Sequence, residues 1–266
     1  MRRALRMLDA IGKTEGDLVC GGHPALDEGV NRGWIERGSV PGPACNNCSG
    51  KHAGMLAGAR ALGVQSEGYH LPAHPVQEGV RRVVEELSGL EGEEVRWGVD
   101  GCNLPAPAMP LSALARVYAR LAAGADAGES GRRASAREGN LARIFHAMSQ
   151  YPEMVAGEGR FCTVLMQAFQ GMLVGKVGAD GCYGVAVRAS EQTKRLGAEG
   201  AIGIAVKVED GNMNIVYAAV AEILDQLGIG TKEMRQKLER FWHPKLVNTA
   251  DIVIGEFSHR FRVRPV

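Results

Sequence analysis

Apolar residues fall at helical spacing almost from the first position. Ala4, Leu5, Leu8 and Ile11 share one face of a segment that Gly12 can stop, which predicts a helix over residues 2–11. The same period predicts helices over 25–38, 51–62, 76–87, 112–122, 140–149, 161–170 and 213–227; in 76–87, Val76, Val80, Val83, Val84 and Leu87 form one stripe. Elsewhere the apolar runs are short and bounded by glycines, which predicts strands at 94–99, 172–176, 183–189 and 201–210. The last three strands are joined by tight connections and lie among helices. That order predicts an α/β (α+β) fold, an antiparallel sheet flanked by helices. Two stretches carry no period: DGCNLPAPAMP, 100–110, is expected to be an irregular proline-rich loop, and 124–139, small and polar, a mobile one.

Composition narrows the function classes. The 266 residues carry a formal net charge of +1, and their basic runs, Arg132–Arg133 and Arg260, Arg262, Arg264, are short. Binding nucleic acid or acidic lipid needs clustered cations, so neither partner is expected. No apolar run approaches the ~20 residues of a membrane span. Six irregularly spaced cysteines without a leader-like start fit reduced thiols and a cytoplasmic protein. His23, His70 and His74 each adjoin a proline-containing turn and are expected to serve turns or caps.

The densest chemistry is CNNCSGKHAGM, residues 45–55. Cys45 and Cys48 form a C-x-x-C, but no βαβ start surrounds it, which argues against a thioredoxin-like dithiol. Gly50-Lys51 is followed by His52 rather than Ser or Thr, so it is not a phosphate loop. No second C-x-x-C or H-x-x-x-H completes a zinc finger. Asn47 or Ser49 could simply cap the following helix. Capping needs one polar side chain, however, and the stretch has five. A lysine beside a cysteine favours the thiolate, and Asp100-Gly101-Cys102 offers a second loop that could meet the first. Two thiolates and a neutral amine would suit a borderline cation such as zinc. A second signal is GKVGADG, 175–181: Lys176 at a strand end before glycines is either a cleft-facing amine or a surface lysine beside a hairpin.

Taken in order, CGGHPALDEG, NNCSGKHAGML, EGYHLPAHPVQ, GVDGCNLPAPAMPL, EMVAGEGRF, LVGKVGADGCYGVAV and GIAVKVEDGN resemble the asparaginase II family of bacterial amidohydrolases. The resemblance runs over residues 1–228, read as one domain, with 229–266 as its divergent tail. It implies hydrolysis of L-asparagine to aspartate and ammonia by a homodimer with a β-lactamase- and glutaminase-like fold. It also implies a zinc site on Cys48, Lys51 and Cys102, with His52 and Asp100 around it as supporting or substrate-binding groups. Lys176 would be the catalytic lysine that assists a serine. The family's Ser-x-x-Lys nucleophile has no counterpart in these residues, since none of the ten serines has a lysine three positions on. The chain is therefore expected to be N-terminally incomplete relative to the family, with little activity; the alternative is a non-catalytic remnant that keeps the Cys-Lys-Cys zinc site.

Overall fold

The first helix, α1 (Arg2–Ala10), buries Ala4 and Leu8 and ends before Gly12, whose φ of +68° suits a residue without a Cβ. It opens a computed structural model that describes residues 1–129 and 133–264 and divides into two compact units, Met1–Met109 and Pro110–Val266.

In the first unit, α2 (Glu28–Glu36) starts at Asp27, whose carboxylate accepts from the Val30 amide at 2.8 Å. Helix α3 (Ser49–Ala61) packs on α1 through Leu8, Ala53 and Leu56. Pro75 occupies the first turn of α4 (Pro75–Ser88), and the His74 ring accepts from the Val76 amide, so His74 is a cap as expected. Strands β1 (Arg96–Val99) and β2 (Pro105–Ala108) pair antiparallel. The second of them corrects the loop expected at 100–110. Pro105 and Pro107 sit two apart, so both missing amides lie on the same side of the strand, where an outer edge loses no ladder bond. The apolar centre is small: Leu8, Leu18, Cys20, Ala53, Leu56, Tyr69 and Cys102.

The second unit begins with α5 (Leu111–Glu129) and α6 (Ala136–Gln150). Most of the segment expected as a mobile loop over 124–139 is therefore helix. Its small residues are the reason: a Cβ on Gly124 would come within 2.5 Å of the Leu141 side chain, so their absence lets the two helices approach. Ser135 and Glu138 form a capping box that restarts the chain at α6. Arg132, in the basic run, lies outside the described residues. After α7 (Pro152–Ala156) and α8 (Phe161–Phe169), strands β3 (Leu173–Val177) and β4 (Cys182–Val187), helix α9 (Glu191–Arg195) and strand β5 (Ile202–Lys207) follow. The sheet runs β3-β4-β5, all antiparallel, as expected.

One face of this sheet meets α5 at backbone distance. A Cβ on Gly203 would lie 1.8 Å from the Ala115 carbonyl oxygen, and one on Gly184 would lie 2.0 Å from the Tyr118 ring. Behind the sheet, Leu165, Phe169, Tyr183 and Val185 join Val216, Val220 and Leu224 of α10 (Met213–Gln226) in the main core. Short helices α11 (Lys232–Gln236) and α12 (Glu239–Trp242) follow, with Ile229 and Leu238 in the same core. A hairpin of β6 (Lys245–Val247) and β7 (Val253–Glu256) closes the described chain. The structure is thus a mixed α+β fold with small antiparallel sheets.

Candidate functional site

Asp100 organises the first unit's polar centre. Its Oδ1 accepts from the amides of Cys102 (3.0 Å) and Leu104 (2.9 Å), a local turn that fixes the loop between β1 and β2. Its Oδ2 accepts from the Lys51 ammonium at 2.9 Å, and the Cys102 thiol lies 3.1 Å from both carboxylate oxygens. Cys48 also acts on the Cys102 thiol and raises it. The first turn of α3 and the β1–β2 loop, far apart in sequence, therefore deliver Cys48, Lys51, Asp100 and Cys102 to one place.

The charges settle in a definite pattern. Burial raises the Asp100 carboxyl, but the Leu104 amide, the Cys102 thiol and the Lys51 ammonium outweigh it and bring it down to about 2. Burial lowers Lys51, and its bonds to Asp100 and Cys102 overturn that and raise it. The Cys102 thiol is pushed up to about 12 by burial, then by Asp100 and Cys48, against the opposing pull of Lys51. The expected thiolate-favouring influence of the lysine exists, but at Cys102 burial and the neighbouring carboxylate win. The resting site holds an ammonium, a carboxylate and a protonated thiol.

His52 is completely buried one position beyond Lys51. Its Nδ1 lies 2.6 Å from the Tyr69 hydroxyl, which also accepts from the Val19 amide at 3.2 Å. Burial raises Tyr69, so the phenol keeps its proton. With the phenol donating to Nδ1, the imidazole proton sits on Nε2, a buried atom with no hydrogen-bond partner among the described residues. Burial, then Lys51, lowers His52 and keeps it neutral.

Several supports were not singled out in the sequence. Buried Asn46 donates to the carbonyls of Cys20 (2.9 Å) and Gly21 (3.2 Å) and accepts from the Cys48 amide (2.7 Å), which pins the Cys48 turn to the CGGHP turn. Glu15 accepts from the Ala44 amide at 2.8 Å. Gln77 donates to the Tyr69 carbonyl at 2.8 Å. Asn46 lies inside NNCSGKHAGML, and Tyr69 and Gln77 inside EGYHLPAHPVQ, so these three could have been suspected; nothing local marks Glu15. The capping role considered for Asn47 or Ser49 is not taken up. The N-cap of α3 is Cys48, and no side chain caps it.

Lys176 belongs to the second unit. It is exposed near the end of β3, opposite Gly184, and its Nζ donates to the Val177 carbonyl at 2.5 Å. Asp180 and Gly181 take left-handed conformations in the turn beyond it.

The donor types at Cys48, Lys51 and Cys102 fit a borderline cation, although among the described residues no group of three or more His, Cys, Asp or Glu is disposed to hold one. A sequence model of the L-asparaginase II family matches residues 1–259. The chain belongs to the L-asparaginase II family. No curated protein matches it. For this family member the match extends over both units and through β6 and β7, beyond the 228 residues over which the resemblance was followed by motif.

Proposed function

We propose that the chain is built for L-asparagine hydrolysis to aspartate and ammonia, with Lys176 as the catalytic lysine and Asp100 as a substrate-binding group. The observation that carries this reading is the meeting of Cys48, Lys51, Asp100 and Cys102 from two separate segments, both of which the family resemblance singles out. An exposed amine at a strand end can take the proton of a hydroxyl that attacks the amide carbon and pass it to the departing ammonia; water then cleaves the resulting ester, freeing aspartate and the hydroxyl. In this reading the hydroxyl comes from a Ser-x-x-Lys segment, and none exists within these residues. The 266 residues alone are expected to release little ammonia, and joining an upstream Ser-x-x-Lys segment should restore it. Robust release by the 266-residue chain would refute the serine assignment.

The second reading is a metal-binding remnant without catalysis, supported by a donor set that assembles without any nucleophile. Cys48, Lys51 and Cys102 would hold zinc, which supplies positive charge when bound. The chain's part would be to give up donor protons to solvent, with the Asp100 carboxylate remaining beside Lys51 and Cys102 as a hydrogen-bond acceptor. Stoichiometric zinc that disappears in Cys48→Ala supports this site. Metal-free protein of unchanged stability leaves Cys48 structural. We further propose a homodimer in a reducing, cytoplasmic setting. All six cysteines are free, and no helix among the described residues is long and apolar enough to cross a membrane.

A further inference from the structure

The second unit holds an open cleft of about 570 Å³, a size within the range of small-molecule sites. Its wall is built where several elements end. Glu129 closes α5, His146 and Gln150 lie at the end of α6, Gln170 and Met172 follow α8, and Arg188 follows β4. Met172 leads into β3, and Lys176 stands near the other end of that strand. The cleft is therefore a place apart from the candidate catalytic lysine.

Two features give the cleft a negative sign. The C-terminal ends of α5, α6 and α8 all meet it, and a helix C-terminus carries partial negative charge on its carbonyls. The formal charges agree. The Arg188 guanidinium donates from Nε to Asp126 at 2.7 Å and from Nη2 to Glu129, so one cation answers two carboxylates. The bond from Arg188 lowers the Glu129 carboxyl, which stays ionised. Only one Glu129 oxygen is spent on this pair. The other lies 3.9 Å from His146 Nε2, beyond hydrogen-bond reach, and the side chain is half exposed.

Gln170 is an independent clue. It ends α8 in the left-handed conformation, with φ +47°, where glycine is the usual residue and a side chain is strained. A carboxamide held in such a backbone, on the wall of a cleft, marks a place where the side chain has a use. We propose that this cleft binds a small organic cation, a primary ammonium on a short carbon chain that ends in an amide. The ammonium would donate to the open Glu129 oxygen, in the field of the three helix ends. The carboxamides of Gln150 and Gln170 would meet the ligand's own amide, and Met172 its methylenes.

The test is a titration of the 266-residue chain, followed by its backbone amide resonances. The probes are γ-aminobutyramide and valeramide, in which a methyl group replaces the ammonium. The expected result is a saturable shift of the Gly171 and Ala189 amides with γ-aminobutyramide. Binding should be about 10-fold or more weaker for valeramide, and likewise for γ-aminobutyramide in Glu129→Gln. Gln170→Gly should also weaken binding without lowering the melting temperature, because glycine suits the left-handed position. A purely structural Gln170 would not separate the two readouts in that way. Absence of a saturable shift overturns the proposal, as does equal binding of valeramide. Undiminished binding in Glu129→Gln or in Gln170→Gly overturns it as well.

Discussion

In residues 1–109 the buried centre is small, and its side chains meet partly through polar atoms. Tyr69 bridges Val19 and His52, Asn46 ties two turns together, and Asp100 gathers a thiol, an ammonium and two amides. From residue 110 onward the opposite holds. Phe161 stacks on Tyr217 at 4.7 Å and meets Tyr183 and Phe241 edge-on, inside an aliphatic shell that includes Leu165, Phe169 and Val220. The contrast separates two ways of holding shape. Apolar packing is non-directional and large in total, while polar ties are modest in net energy but fix where each donor points. A unit that must place thiols and an amine within ångströms of one another gains from the second kind.

Substitutions in each unit probe that contrast. Phe161→Ala should have the largest effect, removing a fully buried ring and about 3–5 kcal/mol. Thermal unfolding and amide exchange should show the loss across β3, β4 and α10. Asp100→Ala should cost about 2 kcal/mol, and the loss should appear as faster exchange at the Cys102 and Leu104 amides while β4 keeps its protection. Equal loosening of β4 would break the comparison, since it would make Asp100 a support for the second unit as well. Tyr69→Phe removes only a hydroxyl and should cost about 1 kcal/mol, with the His52 ring resonances shifting as Nδ1 loses its partner. Lys51→Ala should be smallest, below about 1 kcal/mol, because its ion pair is partly solvated. A larger drop in melting temperature would mean that the ammonium, and not the carboxylate alone, holds the two loops together.

Much of the architecture could be read along the chain because period and punctuation agreed. The stripe from Val76 to Leu87 became α4, and the three late strands became β3, β4 and β5 in antiparallel order. Reading failed where a local cue meant something else in three dimensions. Pro105 and Pro107 look like strand breakers, yet they cost β2 no ladder bonds because it is an outer strand. Gly124 and its small neighbours look like a loop, yet they mark the close approach of α5 to α6. After residue 228, Ile229 and Leu238 lie in the main core, and the family match continues to 259.

The sequence by itself determined the helical stripes, the late antiparallel strands and the residue types of the Cys48, Lys51 and Cys102 set, since spacing and side-chain chemistry are properties of the chain. Only the tertiary structure decided what those residues are at rest. Burial and the Asp100 carboxylate raise the Cys102 thiol to about 12, while Asp100 itself falls to about 2. It also decided that His52 is sealed inside. Burial and electrostatic surroundings come from segments distant in sequence, so no local pattern can carry them.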